Sequence, residues 1–322
     1  MQRKDDPVIA IDIGGTKFIA AVIEPGGRII SRQYCHTLAD EGPARVIQRL
    51  VNSVHNIKNK ARNQNIGRIA VAVAGTIDIR NGVVVESPNL PRWHNVRLGD
   101  ILFNEFGIPV SLINDANAAA LGEYELGKYA GVSNLIYLTV STGIGGGIII
   151  NGNLYEGSSG CAGEIGHMII DVDGPECKCG KKGCLEAFAS GTAIARTAKD
   201  LLKRGRKSLL TQMTDGYIDA VTAEHVTRAA RQGDIVACEA IRTAAHYLGI
   251  GLANVVNIFN PDVIVIGGGV SKMGNMILKP ARIYMKKYAF KLPARDVKVI
   301  RSRLGTDAGL LGAACYVSHE RS

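Results

Sequence analysis

Three of the seven cysteines lie within eight residues, as Cys177-x-Cys179-x₄-Cys184 in the segment GPECKCGKKGCLEA, and His167 precedes them. One imidazole and three thiolates are a donor set for a closed, structural zinc site. The C-x-C spacing is less diagnostic than paired C-x-x-C motifs, so a cluster of redox thiols stands as the alternative at this level. A second centre of chemistry is Asp115, in NDANAAALGE. Where a strand gives way to a helix, a carboxylate can face a crevice and take a proton as general base; Asp is equally a preferred helix N-cap. Third come the glycine-rich turns: DIGGTK from Asp12 to Lys17, STGIGGG from Ser141 to Gly147, and GGG from Gly267 to Gly269. Without a Cβ, glycine lets backbone N–H groups approach phosphate oxygens. The residue order excludes two familiar cradles. GGTK reverses the ending of a Walker A loop, and GIGGGI has Ile148 where a dinucleotide fingerprint needs its third glycine. What remains is a phosphate-gripping hairpin present twice, with a threonine, Thr16 or Thr142, in each turn.

These residues need elements to hold them. The opening VIAIDIGGTKFIAAVIEPGGRIISRQY predicts three strands joined by glycine turns. Val46, Ile47, Leu50, Val51, Val54 and Ile57 recur at helical spacing, so an amphipathic helix is expected between Gly42 and Gln64. IGRIAVAVAGTID predicts a buried strand, and IPVSLINDANAAALGEYELG a strand running into a helix that starts near Asp115. SNLIYLTVSTGIGGGIIINGNLYEG then echoes the first meander, a weak internal duplication that implies two similar lobes. Residues 190–257 read largely as helix; Pro261 stops it, DVIVIGGGV is a strand entering a turn, and DAGLLGAACYVSHE is a terminal helix. The expected division is a first lobe over residues 1–115 joined by the terminal helix 308–322, and a second over 116–307 that carries the cysteines.

Composition narrows the function classes. A chain of 322 residues exceeds one ordinary core, and 46% hydrophobic residues, 21% charged and 38 glycines suit a globular α/β protein. The net charge of +9 raises the question of nucleic acid, but the basic residues are dispersed and the densest group, LLKRGRKSLL, has no aromatic partner. No nucleic-acid partner is expected. No uncharged apolar run approaches the ~18 residues that span a bilayer, and the N-terminal stretch meets Asp12 too early to be a secretory signal. An odd cysteine count, with Cys238 and Cys315 in apolar surroundings, argues for reduced thiols. A cytoplasmic protein without membrane attachment is expected.

The string VSTGIGGGIIINGNLYEGSSGCAGEIGH from Val140 to His167 closely resembles the signature of the ROK family, the repressors and sugar kinases of the actin-like ATPase superfamily. DIGGTK, AGTID, SPNLPRW, NDANAAALGE, CKCGKKGCLE and NIFNPDVIVIGGGVS extend the resemblance over nearly the whole chain. It implies an α/β, two-lobed actin-like ATPase (ribonuclease H-like) fold with duplicated glycine-hairpin lobes. It further implies that Gly14, Gly15, Thr16, Lys17, Thr142, Gly143, Gly145 and Gly146 hold the phosphates of ATP, that Gly267, Gly268 and Gly269 face the nucleotide, and that Asp12 helps organise Mg²⁺. By the same resemblance Asn89, Asn114, Asp115, Glu164, His167 and Glu186, with the Gly75 turn close by, hold a hexose. Asp115 becomes the catalytic base, and His167, Cys177, Cys179 and Cys184 become the ligands of a structural Zn²⁺. The motifs look most like those of the family's bacterial glucokinases, which phosphorylate the 6-hydroxyl of glucose; N-acetylmannosamine or another hexose is the alternative substrate. A sugar-responsive repressor is the alternative of another class, and it is disfavoured because the first hairpin begins near residue 12, with no winged-helix segment before it. A homodimer or homotetramer is implied by the family alone.

Overall fold

The computed structural model describes residues 6–61, 65–129 and 131–319. Strands β1 (Val8–Ile13), β2 (Lys17–Ile23) and β3 (Ile29–His36) form the expected meander, followed by helix α1 (Pro43–Lys60) and strand β4 (Arg68–Val73). A small sheet of β5 (Thr76–Asp78), β6 (Val83–Glu86) and β7 (His94–Val96) intervenes before α2 (Leu98–Phe106), β8 (Val110–Asn114) and α3 (Asp115–Leu126). The second half opens with β9 (Leu135–Val140), β10 (Ile144–Ile150) and β11 (Asn153–Leu154). Helices α4 (Leu185–Ala189), α5 (Gly191–Lys203), α6 (Leu209–Met213), α7 (Ala223–Arg231) and α8 (Ile235–Phe259) follow. The chain ends through β12 (Val263–Gly267), α9 (Asn275–Tyr288), α10 (Lys291–Asp296), β13 (Lys298–Arg301) and α11 (Ala308–His319).

The duplication is explicit in the sheets. One has the order β3-β2-β1-β4-β8 and the other β11-β10-β9-β12-β13, so each is a meander whose first strand is extended by two parallel strands. Alternation along β1 separates two functions. Ile9, Ile11 and Ile13 join a core with Val46, Leu50, Val54 and Ile57 of α1, each buried side chain contributing about 1.5–3 kcal/mol. Asp12, on the opposite face, meets the start of α11 at Gly309. One face of the sheet thus packs on α1 and the other on α11, with Ala10 fully buried and Asp12 partly so on the α11 side.

Contacts divide the chain into a first unit of residues 1–131, 147–162 and 303–322, and a second of residues 132–146 and 163–302. The terminal helix falls in the first unit. The division differs from the boundary at residue 115, because α3 also belongs to the first unit. Its Gly122 meets α11 so closely that a Cβ on Gly312 would stand 1.6 Å from the Ala118 carbonyl oxygen. An alanine-rich helix that is buried on nearly every side offers no amphipathic stripe to announce its partner.

Candidate active site

In the first unit, the end of β8 settles which residue of the Asn114–Asp115 pair caps α3. Asn114 is the N-cap: its Oδ1 accepts the N–H groups of Ala116 at 2.9 Å and Asn117 at 3.2 Å, and its Nδ2 donates to the Gly75 carbonyl at 3.3 Å. The amide therefore fixes both the helix start and the Gly75 turn. Asp115 is the first helical residue, half-buried, with Oδ1 also 2.9 Å from the Ala116 N–H. Asn89 lies exposed beside the first hairpin, its carbonyl oxygen 2.6 Å from where a Cβ on Gly15 would stand.

The carboxylates of this unit repel one another. Burial, then the charge of Asp115, push the Asp12 carboxyl up to about 7; Lys17 opposes the rise and Asp307 adds to it. Asp307, which sequence reasoning missed, sits just before α11 and is paired with Arg32 at 2.8 Å. Its signal was a glycine-flanked acid ahead of an apolar helix. Such a cluster, short of positive charge, fits a divalent cation bound through Asp12.

Both hairpin turns are tied by their carbonyls. In the first, the Thr37 N–H donates to the Thr16 oxygen at 2.9 Å and the Thr37 hydroxyl to the Gly14 oxygen at 2.6 Å. In the second unit, the Gly191 N–H donates to the Ser141 oxygen at 2.7 Å and the Thr192 hydroxyl to the Thr142 oxygen at 2.8 Å. Within the turns themselves the Gly14 N–H donates to the Lys17 oxygen at 3.0 Å and the Ser141 N–H to the Gly143 oxygen at 2.8 Å. Glu186 adds a third tie: its Oε2 accepts the Ile144 N–H at 2.8 Å and lies 2.4 Å from where a Cβ on Gly143 would stand. Gly143 is thus required by a carboxylate as well as by any phosphate. The other oxygen of Glu186 accepts from the Cys177 thiol at 3.6 Å, linking the hairpin to the cysteine cluster.

That cluster brings together all four expected ligands. The donor atoms of His167, Cys177, Cys179 and Cys184 lie within 4.8 Å of one another. Cys179 and Cys184 are 3.7 Å apart, against the roughly 3.8 Å that Zn–S bonds of ~2.3 Å at a tetrahedral angle require. Burial pushes the Cys177 thiol up to about 12 and raises Cys184 as well, whereas at Cys179 the rise from burial is outweighed by hydrogen bonds from the Lys181 backbone and the two neighbouring thiols, which lower it. His167 turns Nδ1 to Cys177 at 3.7 Å and Nε2 towards the exposed Glu164 at 3.8 Å. One ring therefore serves the metal donors with one nitrogen and offers the other to Glu164. Gly145 and Gly146 continue along β10, and Gly267–Gly269 end β12 in a turn with Gly268 at φ +76°. Thr142 and Gly269 line a common cleft of about 680 Å³ with α7, whose residues were read from the sequence only as part of a helical stretch.

The model of the ROK family matches residues 8–320. This chain belongs to the ROK family. It is 37% identical over 310 residues to a glucokinase of Thermotoga maritima, covering 96% of each chain. It is 35% identical to a xylose repressor of Caldicellulosiruptor bescii, covering 96% of this chain and 77% of that one. Among solved structures, the ROK family glucokinase of Streptomyces griseus in complex with glucose and AMPPNP superposes with a TM-score of 0.84 at 36% identity, over 96% of this chain and 98% of that one. The repeated sheet order is accordingly that of the actin-like ATPase fold that ROK kinases share.

Proposed function

We propose that this ROK protein is an ATP-dependent kinase that transfers a phosphoryl group to the 6-hydroxyl of glucose. The observation that carries the reading is the placing of a carboxylate at the junction of β8 and α3: Asn114 caps the helix, and Asp115, half-buried at its first position, lies close enough to Asp12 for its charge to raise the Asp12 carboxyl. In the reaction Asp115 accepts the proton of the sugar hydroxyl as its oxygen attacks the γ-phosphorus. The turns at Gly14–Lys17 and Thr142–Gly146 hold the phosphates, with Gly267–Gly269 beside the nucleotide. Mg²⁺, held through Asp12, offsets phosphate charge when bound. Asn89, Asn114, Glu164, His167 and Glu186, with the Gly75 turn, read the sugar hydroxyls; Asn114 has one amide hydrogen left for this, beyond its three ties. Zinc bound by His167, Cys177, Cys179 and Cys184 has no open coordination position and serves to orient His167 and Glu186. The similarity to glucokinases from several bacteria supports glucose over N-acetylmannosamine.

The reading includes a cytoplasmic location and assembly as a homodimer or homotetramer. Among the described residues no helix is long and apolar enough to cross a membrane, and light scattering measures the assembly. ADP release from Mg-ATP, followed with glucose, N-acetylmannosamine, N-acetylglucosamine, mannose, allose and fructose, tests the activity. A glucose preference is expected. Turnover with an N-acetylated sugar alone would move the assignment to the alternative kinase, and sugar binding without turnover to the repressor class.

A further inference from the structure

Two loops of the first unit are joined by an arginine that neither the fold nor the reaction explains. The loop over residues 87–93 carries Asn89, and its Arg92 is exposed, with left-handed backbone at φ +67°. Such backbone favours glycine, so an arginine there bears a conformational cost that its side-chain contacts must offset. The guanidinium donates to the Asp40 carbonyl and lies 3.3 Å from where a Cβ on Gly42 would stand. Residues 38–42 are clamped from α1 as well. Arg49 donates to the Thr37 and Leu38 carbonyls, at 2.5 and 3.3 Å, and pairs with Glu41 at 2.5 Å. Thr37, fully buried, is the residue that straps the first glycine turn at Gly14 and Thr16. A continuous line of contacts therefore runs from the Asn89 loop through Arg92, Asp40 and Thr37 to that turn.

We infer that Arg92 is a positioning residue that couples a hexose on Asn89 to the phosphates at Gly14–Lys17, so that each ligand binds more tightly when the other is present; the inference rests on the kinase reading above. A hexose that fixes residues 87–93 also fixes the guanidinium, and through it the Asp40 carbonyl and the strap on the turn. The phosphates then meet a turn already ordered and lose less conformational freedom on binding, and linkage makes the effect reciprocal. Asn89 also abuts Gly15 directly, so part of the coupling survives without Arg92.

The test separates the guanidinium from the backbone. Arg92→Gly removes the side chain while suiting the left-handed conformation, so the variant folds without new strain. Arg92→Lys keeps the charge but not the planar fork. Equilibrium binding of glucose, with and without saturating AMPPNP and Mg²⁺, is measured by calorimetry on the full-length wild type and on both variants. The wild type should bind glucose about fivefold more tightly with nucleotide present, Arg92→Gly no more than about twofold, and Arg92→Lys between the two. Hydrogen exchange gives a second readout: glucose alone should slow the amides of residues 37–42 in the wild type and leave them unchanged in Arg92→Gly. A merely structural role would weaken each ligand alone and keep the ratio intact. Arg92→Gly with the wild-type ratio, or a wild type without coupling, overturns the inference. Glucose turnover with a ratio that does not depend on Arg92 refutes this inference alone, and coupling through Arg92 in a protein that transfers no phosphoryl group refutes the kinase reading alone.

Discussion

The two halves share a strand order but not the chemistry of their strand ends. At the penultimate position of the first strand, before a three-residue turn, the first half has Asp12 and the second Thr139. The last parallel strand runs into Asn114–Asp115 in the first half and into Arg301–Ser302 in the second. The supports differ as well: Thr37 straps the first turn, whereas Gly191, Thr192 and Glu186 strap the second and connect it to the metal donors. A duplicated scaffold thus gathers Asp12, Asp115 and Asp307 at the strand ends of one half, and thiols, a Glu186 strap and an open cleft in the other.

The sharpest way to break this comparison is at the two equivalent strand ends. Asp115→Asn should lower kcat by about 10²–10⁴-fold with glucose affinity by calorimetry little changed. Ser302→Ala should leave both within about twofold. Near-normal turnover in Asp115→Asn would remove the acid half from the reaction. The next effect is on stability. Gly312→Ala places a Cβ 1.6 Å from a backbone oxygen of α3, which cannot swing aside as a side chain can. A loss of about 3 kcal/mol in denaturant unfolding is expected, or failure to fold. A soluble variant with unchanged stability would show that the α3–α11 contact is looser than the geometry indicates.

Much of this was legible in the sequence. The meanders, the α1 stripe and the glycine turns follow from period and punctuation; residue type and spacing pick out the Cys/His cluster, while its reading as a zinc site over a redox cluster comes from the family resemblance. The Asn114–Asp115 pair was legible only as a pair. Both residues are good N-caps, and which one caps depends on where helical backbone begins, a difference of one residue that tertiary packing fixes. The small β5–β7 sheet escaped because its strands are three or four residues long. Glu186 reads as an ordinary helix-start acid, since its ties to Ile144 and Cys177 are long-range. The cleft face of α7 was hidden for the same reason: Glu224 and Arg228 look like solvated charges until Thr142 and Gly269 are seen on the same lining.

Removing one metal ligand tests the second half in turn. Cys179→Ser should lose zinc by elemental analysis and raise the glucose KM about tenfold, with hydrogen exchange altered around residues 164–190 and unaltered in β1 and β4. A zinc-free variant with unchanged kinetics would make the metal irrelevant to the sugar.

The smallest effect concerns the acid half at equilibrium. Asp12 has its carboxyl raised from 3.8 to about 7 in the folded protein, so folding favours its protonated form. Its favourable contribution is complete below about pH 4 and disappears as pH rises through 7. At 1.36 kcal/mol per decade the ceiling is about 4 kcal/mol, and residual solvent access reduces the realised effect to about 1 kcal/mol. Asp12→Asn should therefore melt a few degrees above the wild type at pH 8 and together with it at pH 4. Mg²⁺ binding through Asp12 would stabilise the ionised wild type and narrow the gap at pH 8, while Asp12→Asn, lacking the charge, would respond less. If the pH 8 gap is absent without Mg²⁺, the acids of the first half are already compensated, and the need for a cation there disappears with it.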